Sequence, residues 1–130
     1  MRSPKTIFVI FMAAILASCA ETAMKGSSGL TGYRETGKAS YYAAKYQNQQ
    51  PASGERLDNK SYTAAHKNLP FGTKVKVTNI ENGKSVVVEI NDRGPFVKGR
   101  IIDLTRSAFR KIGDLNAGII SVQIEVVDLN

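Results

Sequence analysis

The chain has 130 residues, 42% of them hydrophobic, with a formal net charge of +7, one Cys and no Trp. That length fits one domain, and a lone Cys excludes an intramolecular disulfide. The basic balance attracts polyanions in general, but no basic run is interleaved with aromatics, which argues against nucleic acid as a partner.

Residues 1–18 begin with Arg2 and Lys5 and continue in an uncharged, mostly apolar run over 7–16. Such a run fits an export signal and falls short of the roughly 20 residues that span a bilayer. It ends in Leu16-Ala-Ser-Cys19, which resembles the lipobox of bacterial lipoproteins. That resemblance implies cleavage before Cys19, lipidation of Cys19 and a membrane anchor of more than one acyl chain. Ala20 at the next position implies the outer membrane, with the domain facing the periplasm. Residues 19–37 contain Gly26-Ser-Ser-Gly29 and Thr31-Gly32 without an apolar period, and read as a flexible tether. The folded domain is expected over 38–130. Without Arg2 and Lys5 the chain keeps a charge of +5, which suits an anionic wall polymer or lipid surface, or serves solubility alone.

The first strand is expected at 39–42. Residues 73–79 (TKVKVTN) alternate apolar and polar, as in a half-buried strand. Residues 84–90 (KSVVVEI) form a second such run, whose β-branched centre suggests burial on both faces. Asn82-Gly83 between them signals a hairpin. Residues 100–104 and 121–127 read as two more strands. One helix is expected between them: Thr105 or Ser107 caps it, Ala108, Phe109 and Ile112 share a face, and Gly113 terminates it. Short strands, Gly-rich turns and one small helix argue for a closed or nearly closed β-barrel.

Seven blocks carry a further signal. They are Gly37-Lys-Ala-Ser-Tyr-Tyr42, Ala52-Ser-Gly-Glu-Arg56, Thr63-Ala-Ala-His66, Leu69-Pro-Phe-Gly-Thr73, Val77-Thr-Asn79, Ile90-Asn-Asp-Arg-Gly-Pro-Phe96 and Gly99-Arg-Ile-Ile-Asp-Leu104. In this order and spacing the chain resembles the rare lipoprotein A family of septal-ring lytic transglycosylases over about residues 37–127. The resemblance implies a mainly β fold: a six-stranded double-psi β-barrel with one or two short helices, shared in outline with expansins. It implies a lyase that cuts peptidoglycan between N-acetylmuramic acid and N-acetylglucosamine, prefers strands stripped of their stem peptides and leaves 1,6-anhydromuramyl ends. Many members carry a C-terminal sporulation-related repeat domain. This sequence ends at Asn130, so recruitment to the septum is expected to need a division-machinery partner.

Glycosidic cleavage needs a proton on the leaving oxygen, and a hydrolase adds a second carboxylate to activate water. A lytic transglycosylase uses the muramyl C6 hydroxyl, already held on the reacting ring, so one carboxyl group can serve as acid and base. Asp92 follows a strand and precedes a turn. Read alone, it is a turn residue that stabilises nearby amides; the resemblance makes it catalytic. Glu55 likewise reads as a solvated loop carboxylate, and the resemblance brings it into the site. The residues leave open which of the two gives the proton. Asp58 matches a family acid and also suits a turn. His66, the sole His, is expected to orient Glu55 or Asp92. Ser40, Tyr42 and Arg93 are expected to bind substrate. Tyr41 and Tyr42 cannot face the same way in a strand, so one belongs to the core. Asp103, among apolar neighbours, is expected to pair with backbone amides or with Arg93 or Arg100. No spacing suggests a metal site, and no cofactor is expected. The competing readings are an expansin-like glycan binder without catalysis and a barrel that docks on envelope machinery.

Overall fold

The computed structural model describes residues 30–43, 51–54 and 58–128. Cys19, the expected export segment, residues 20–29 of the expected tether and Glu55 lie outside them. Six strands follow in order: β1 (Arg34–Tyr41), β2 (Thr63–Ala65), β3 (Lys74–Asn79), β4 (Ser85–Asp92), β5 (Arg100–Leu104) and β6 (Ile120–Asp128). They close into a barrel in the order β1-β5-β2-β4-β3-β6. The pairs β1–β5 and β2–β4 run parallel, and the other four run antiparallel. This is the double-psi β-barrel.

Alternation builds the core. Val75 and Val77 of β3, Val86, Val88 and Ile90 of β4, and Val122, Ile124 and Val126 of β6 point inward and are buried. Val87 does not join them: it is 47% exposed, against the expectation that this strand is covered on both faces. A single-layer barrel buries one face of each strand, so the outward position of a Val-Val-Val run meets solvent unless a helix covers it.

β1 starts earlier than the boundary placed at Lys38. Residues Arg34 to Ala39 pair antiparallel with β6 from Glu125 to Ile120, so 34–37 belong to the sheet. The outward side chains there are polar, which hid the strand from an apolar-period reading. Gly37 lets β1 approach β5 closely. A Cβ there would lie 2.7 Å from Ile101 Cγ2 and 3.2 Å from the Gly99 carbonyl oxygen.

The helix α1 (Arg106–Ile112) buries Ala108, Phe109 and Ile112. Thr105 occupies its N-cap position, but its side chain makes no cap bond; its hydroxyl donates to the Ser61 carbonyl. The cap comes from Asn59, whose side-chain oxygen accepts from Arg106 N–H at 2.9 Å and whose carbonyl accepts from Ser107 N–H at 3.0 Å. At the other end Gly113 is extended, so no left-handed residue stops the helix. The side chains of Asn79 and Asn82 instead donate to the Ile112 carbonyl at 2.8 and 3.0 Å. The expected Asn82-Gly83 turn thus also finishes the helix. A 3₁₀ turn (Leu115–Ala117) leads into β6. Among the described residues no helix is long and apolar enough to cross a membrane.

Candidate active site

The site grows from the end of β4. Ala64 pairs with Ile90 and Ala65 with Asp92, so the ladder skips Asn91. Such a bulge re-aims the side chain beside it. Across the neighbouring strands Ala65 also pairs with Asp103, and Asp103 with Ser40. Ser40, Asp103, Ala65 and Asp92 therefore form one row over β1, β5, β2 and β4. Two strand spacings separate the α-carbons of Asp103 and Asp92 by roughly 10 Å, with only a methyl side chain between them.

Three donors converge on the Asp92 carboxylate. Tyr42 O–H donates to Oδ2 at 2.8 Å, while the N–H groups of Ala52 and Arg93 donate to Oδ1 at 2.8 and 2.9 Å. Burial pushes the Tyr42 hydroxyl far above the ordinary tyrosine range, and its hydrogen bond to Asp92 and the charges of Asp92 and Asp103 add to the effect. Tyr42 thus stays a donor. Tyr41, its neighbour, faces α1 instead: its ring meets Phe109 edge-on at 4.8 Å and its hydroxyl donates to the Leu115 carbonyl.

Asp103 pairs with Arg100, whose Nη2 is 2.7 Å from Oδ1. Ser40 Oγ donates to the same Oδ1, and Arg100 Nη2 also donates to Ser40 Oγ. Of the partners expected for Asp103, Arg100 is the one found. Because Asp103 shares Tyr42 electrostatically with Asp92, it belongs to the site as well as to the fold. Position in an apolar strand disguised it as purely structural. The pairing register exposes it.

His66 is buried, only 3% exposed. Its Nδ1 accepts from Asn68 N–H at 3.0 Å and Leu69 N–H at 3.1 Å, so the ring hydrogen sits on Nε2. That hydrogen points at Glu35 Oε1, 2.9 Å away. The link from His66 to Asp92 runs through the main chain instead, His66 N–H donating to the Asp92 carbonyl at 3.1 Å. The ring itself bonds Glu35 and the 68–69 amides and not the Asp92 carboxylate; Glu55, the other acid it was expected to orient, lies outside the described residues. Glu35 was read as tether and could not have been found from local sequence.

Arg93 is also engaged by protein. Its Nη1 donates to the carbonyls of Leu69 and His66 at 2.8 and 3.2 Å, and its guanidinium lies 4.1 Å from the centroid of the Phe71 ring. It braces the turn after β4, where substrate binding was expected. Asp58 Oδ1 accepts from Lys60 N–H at 3.0 Å and its carbonyl accepts from Ser61; these bonds shape the loop that caps α1. Residues 51–54 dock on the end of β4, with Ser53 N–H donating to the Asn91 carbonyl and Ala52 N–H to Asp92. Glu55 follows directly but lies outside the described residues. Among the described residues no three His, Cys, Asp or Glu side chains gather as a metal site would need.

The family described as lytic transglycolase matches residues 34–124. The chain belongs to this family. An endolytic peptidoglycan transglycosylase RlpA of Vibrio cholerae is 52% identical over 99 residues, 76% of this chain and 38% of that protein. The RlpA of Pasteurella multocida is 48% identical over 104 residues, covering 80% and 35%. The chain thus spans little more than a third of these relatives' length. Among solved structures, a Streptomyces papain inhibitor superposes with a TM-score of 0.62 at 26% identity, over 75% of this chain and 97% of the inhibitor. An apo expansin of Clavibacter michiganensis gives 0.60 at 25% identity, over 75% and 52%. Both agree with the double-psi barrel found for this family member.

Proposed function

We propose that this lytic transglycosylase-family domain cleaves the bond between N-acetylmuramic acid and N-acetylglucosamine in peptidoglycan, acting on peptide-stripped strands and leaving 1,6-anhydromuramyl ends. The carrying observation is the convergence of Tyr42 O–H, Ala52 N–H and Arg93 N–H on Asp92, in a chain about half identical to RlpA transglycosylases over the barrel.

In the proposed reaction the muramyl O6 attacks C1 of its own ring as the bond from C1 to the leaving O4 breaks. Asp92, surrounded by donors, takes the proton from O6. Glu55, which follows the 51–54 segment docked on Asp92, gives a proton to O4. Water is not consumed, and the two carboxyl groups return to their starting states when the proton passes back. Tyr42 fixes the Asp92 carboxylate so that its geometry needs no rearrangement during transfer. Asp103, held by Arg100 and Ser40, supplies a second negative charge beside Tyr42 to favour the positive charge that develops on the muramyl ring. His66 holds the 66–69 turn against β4, with Asp58 and Arg93 bracing the loops around it.

A second reading has its own support. An expansin shares the fold at a TM-score of 0.60, and a Clavibacter michiganensis expansin mutant with a TM-score of 0.59 was solved in complex with cellohexaose. A barrel of this kind can bind glycan without cutting it. We place the protein in the periplasm on the outer membrane, anchored through Cys19 and brought to the septum by a division-machinery partner. Loss of membrane fractionation on Cys19→Ser tests the anchor.

The deciding experiment is mass spectrometry of soluble products released from intact and peptide-stripped peptidoglycan. Products with 1,6-anhydromuramyl ends establish the transglycosylase. Reducing ends mean attack by water. Co-sedimentation with the wall but no products selects the non-catalytic binder.

A further inference from the structure

Phe96 is 79% exposed, the most open of the large apolar side chains among the described residues. It sits on the connection from β4 to β5, just past Asp92, Arg93, Gly94 and Pro95. The Cε2–Cδ2 edge of its ring lies 3.5 and 3.7 Å from where a Cβ on Gly94 would be. The ring therefore rests by one edge beside the Gly94 backbone, and its faces remain open. Gly94 has φ of 126°, a conformation that L side chains rarely adopt.

The turn beneath the ring is braced. Arg93 donates its main-chain N–H to Asp92 and its Nη1 to the Leu69 and His66 carbonyls. Its guanidinium covers one part of Phe71, which is itself 41% exposed. An open aromatic ring thus stands on a fixed base that begins at the carboxylate of the site.

Water would favour a polar residue at such a position, since exposed apolar surface is unfavourable and Phe96 adds nothing to the core. The surroundings narrow the occupant. A protein partner needs a broad contiguous apolar area, whereas Phe96 and Val97 are followed in the chain by Lys98 and Gly99. A pyranose has a flat face of C–H bonds rimmed by hydroxyls. One open aromatic face suits that shape, the apolar surface stacking and the polar rim remaining solvated or hydrogen-bonded.

We propose that Phe96 is the platform of a sugar subsite, stacking on a hexosamine ring of the same glycan strand beside the unit held at Asp92. This rests on the reading that the barrel acts on peptidoglycan glycan. The subsite makes Phe96 a binding residue for substrate, remote from the bond that breaks.

The test compares the wild-type chain with Phe96→Ala and Phe96→Tyr on peptide-stripped glycan strands, by co-sedimentation and by product release against strand concentration. Phe96→Ala is expected to weaken binding and raise KM roughly five- to tenfold, with kcat little changed and the melting temperature unmoved. Phe96→Tyr keeps the ring and stays near wild type. If the wild type binds and cleaves while Phe96→Ala matches it, the subsite falls and the functional reading stands. If the wild type neither binds nor cleaves glycan, both fall. A Phe96→Ala variant that instead loses retention on anionic lipid vesicles, with glycan binding intact, overturns the subsite in favour of a membrane contact.

Discussion

Tyr42 donates its hydroxyl to Asp92 Oδ2 at 2.8 Å and so ties the end of β1 to the end of β4. The phenol is held far above its ordinary range by burial, then by the hydrogen bond and the carboxylate charges. Below about pH 10 the folded and unfolded chains both keep this proton, and the group contributes no pH slope. Above that, the unfolded chain releases it while the folded chain keeps it. Stability from Tyr42 then falls by about 1.4 kcal/mol per pH unit. In urea titrations the wild type minus Tyr42→Phe difference should be flat near neutrality and decline above about pH 10. A difference that stays flat to about pH 11 contradicts the buried donor. Tyr42→Phe should also cut product release roughly tenfold or more, since a hydrogen bond to a charged group contributes about 1.5–3 kcal/mol.

Glu35 and His66 make a pair 31 residues apart in sequence. The tautomer is set by the two amides on Nδ1, so Nε2 has a hydrogen that only Glu35 accepts among the described residues. Glu35→Ala leaves this buried N–H unsatisfied and should cost about 1–3 kcal/mol. Glu35→Gln retains an acceptor oxygen and should cost less than about 1 kcal/mol. Chemical denaturation of the two variants separates them. Equal losses would mean that the pair acts through charge and not through acceptance at Nε2.

Much of this architecture was readable before the structure, for physical reasons that also explain what was hidden. β3, β4 and β6 announce themselves because alternate valines and isoleucines line a one-sided core. β2 is invisible to periodicity: Thr63-Ala-Ala is three residues, two of them alanines with little strand preference, and it is a strand because β4 and β5 pair with it on either side. The skip at Asn91 leaves no mark in sequence, yet it aligns Asp92 with Ala65 and Asp103. Asp92, Tyr42 and Ser40 are all candidates in the sequence, and the register adds Asp103 to their row. Phe96 was part of a recognised block, but only its exposure gives it a role.

Gly37 shows how a small residue holds the barrel closed. Its missing Cβ would lie 2.7 Å from Ile101 Cγ2 and 3.2 Å from the Gly99 carbonyl oxygen. Gly37→Ala forces β1 and β5 apart or Ile101 off its rotamer, at a cost of about 1–3 kcal/mol. Ile101→Ala removes the nearer clash. The double variant should recover a large part of the loss, read as a non-additive melting temperature. Simple addition of the two losses would show that Gly99, and not Ile101, sets the limit.

Asp92 and Asp103 respond differently to neutralisation because their partners differ. Asp92 takes three donors on two oxygens. Asp92→Asn offers one oxygen, and its NH₂ then faces a donor, so the variant should lose about 1–3 kcal/mol of stability as well as all product release. Asp103→Asn keeps an oxygen for Ser40 and Arg100 but removes the charge that Arg100 pairs with across 2.7 Å. The pair is half-buried, so the cost should again be about 1–3 kcal/mol. Product release should fall at least roughly tenfold, because the charge sits beside the same phenol. Glu55→Gln completes the set, and is expected to abolish release. Folded fractions from denaturation, measured with anhydromuramyl product by mass spectrometry, divide loss of fold from loss of chemistry. Full activity in Asp92→Asn at the same folded fraction would remove Asp92 from the reaction and leave Asp103 as the carboxylate that must be explained.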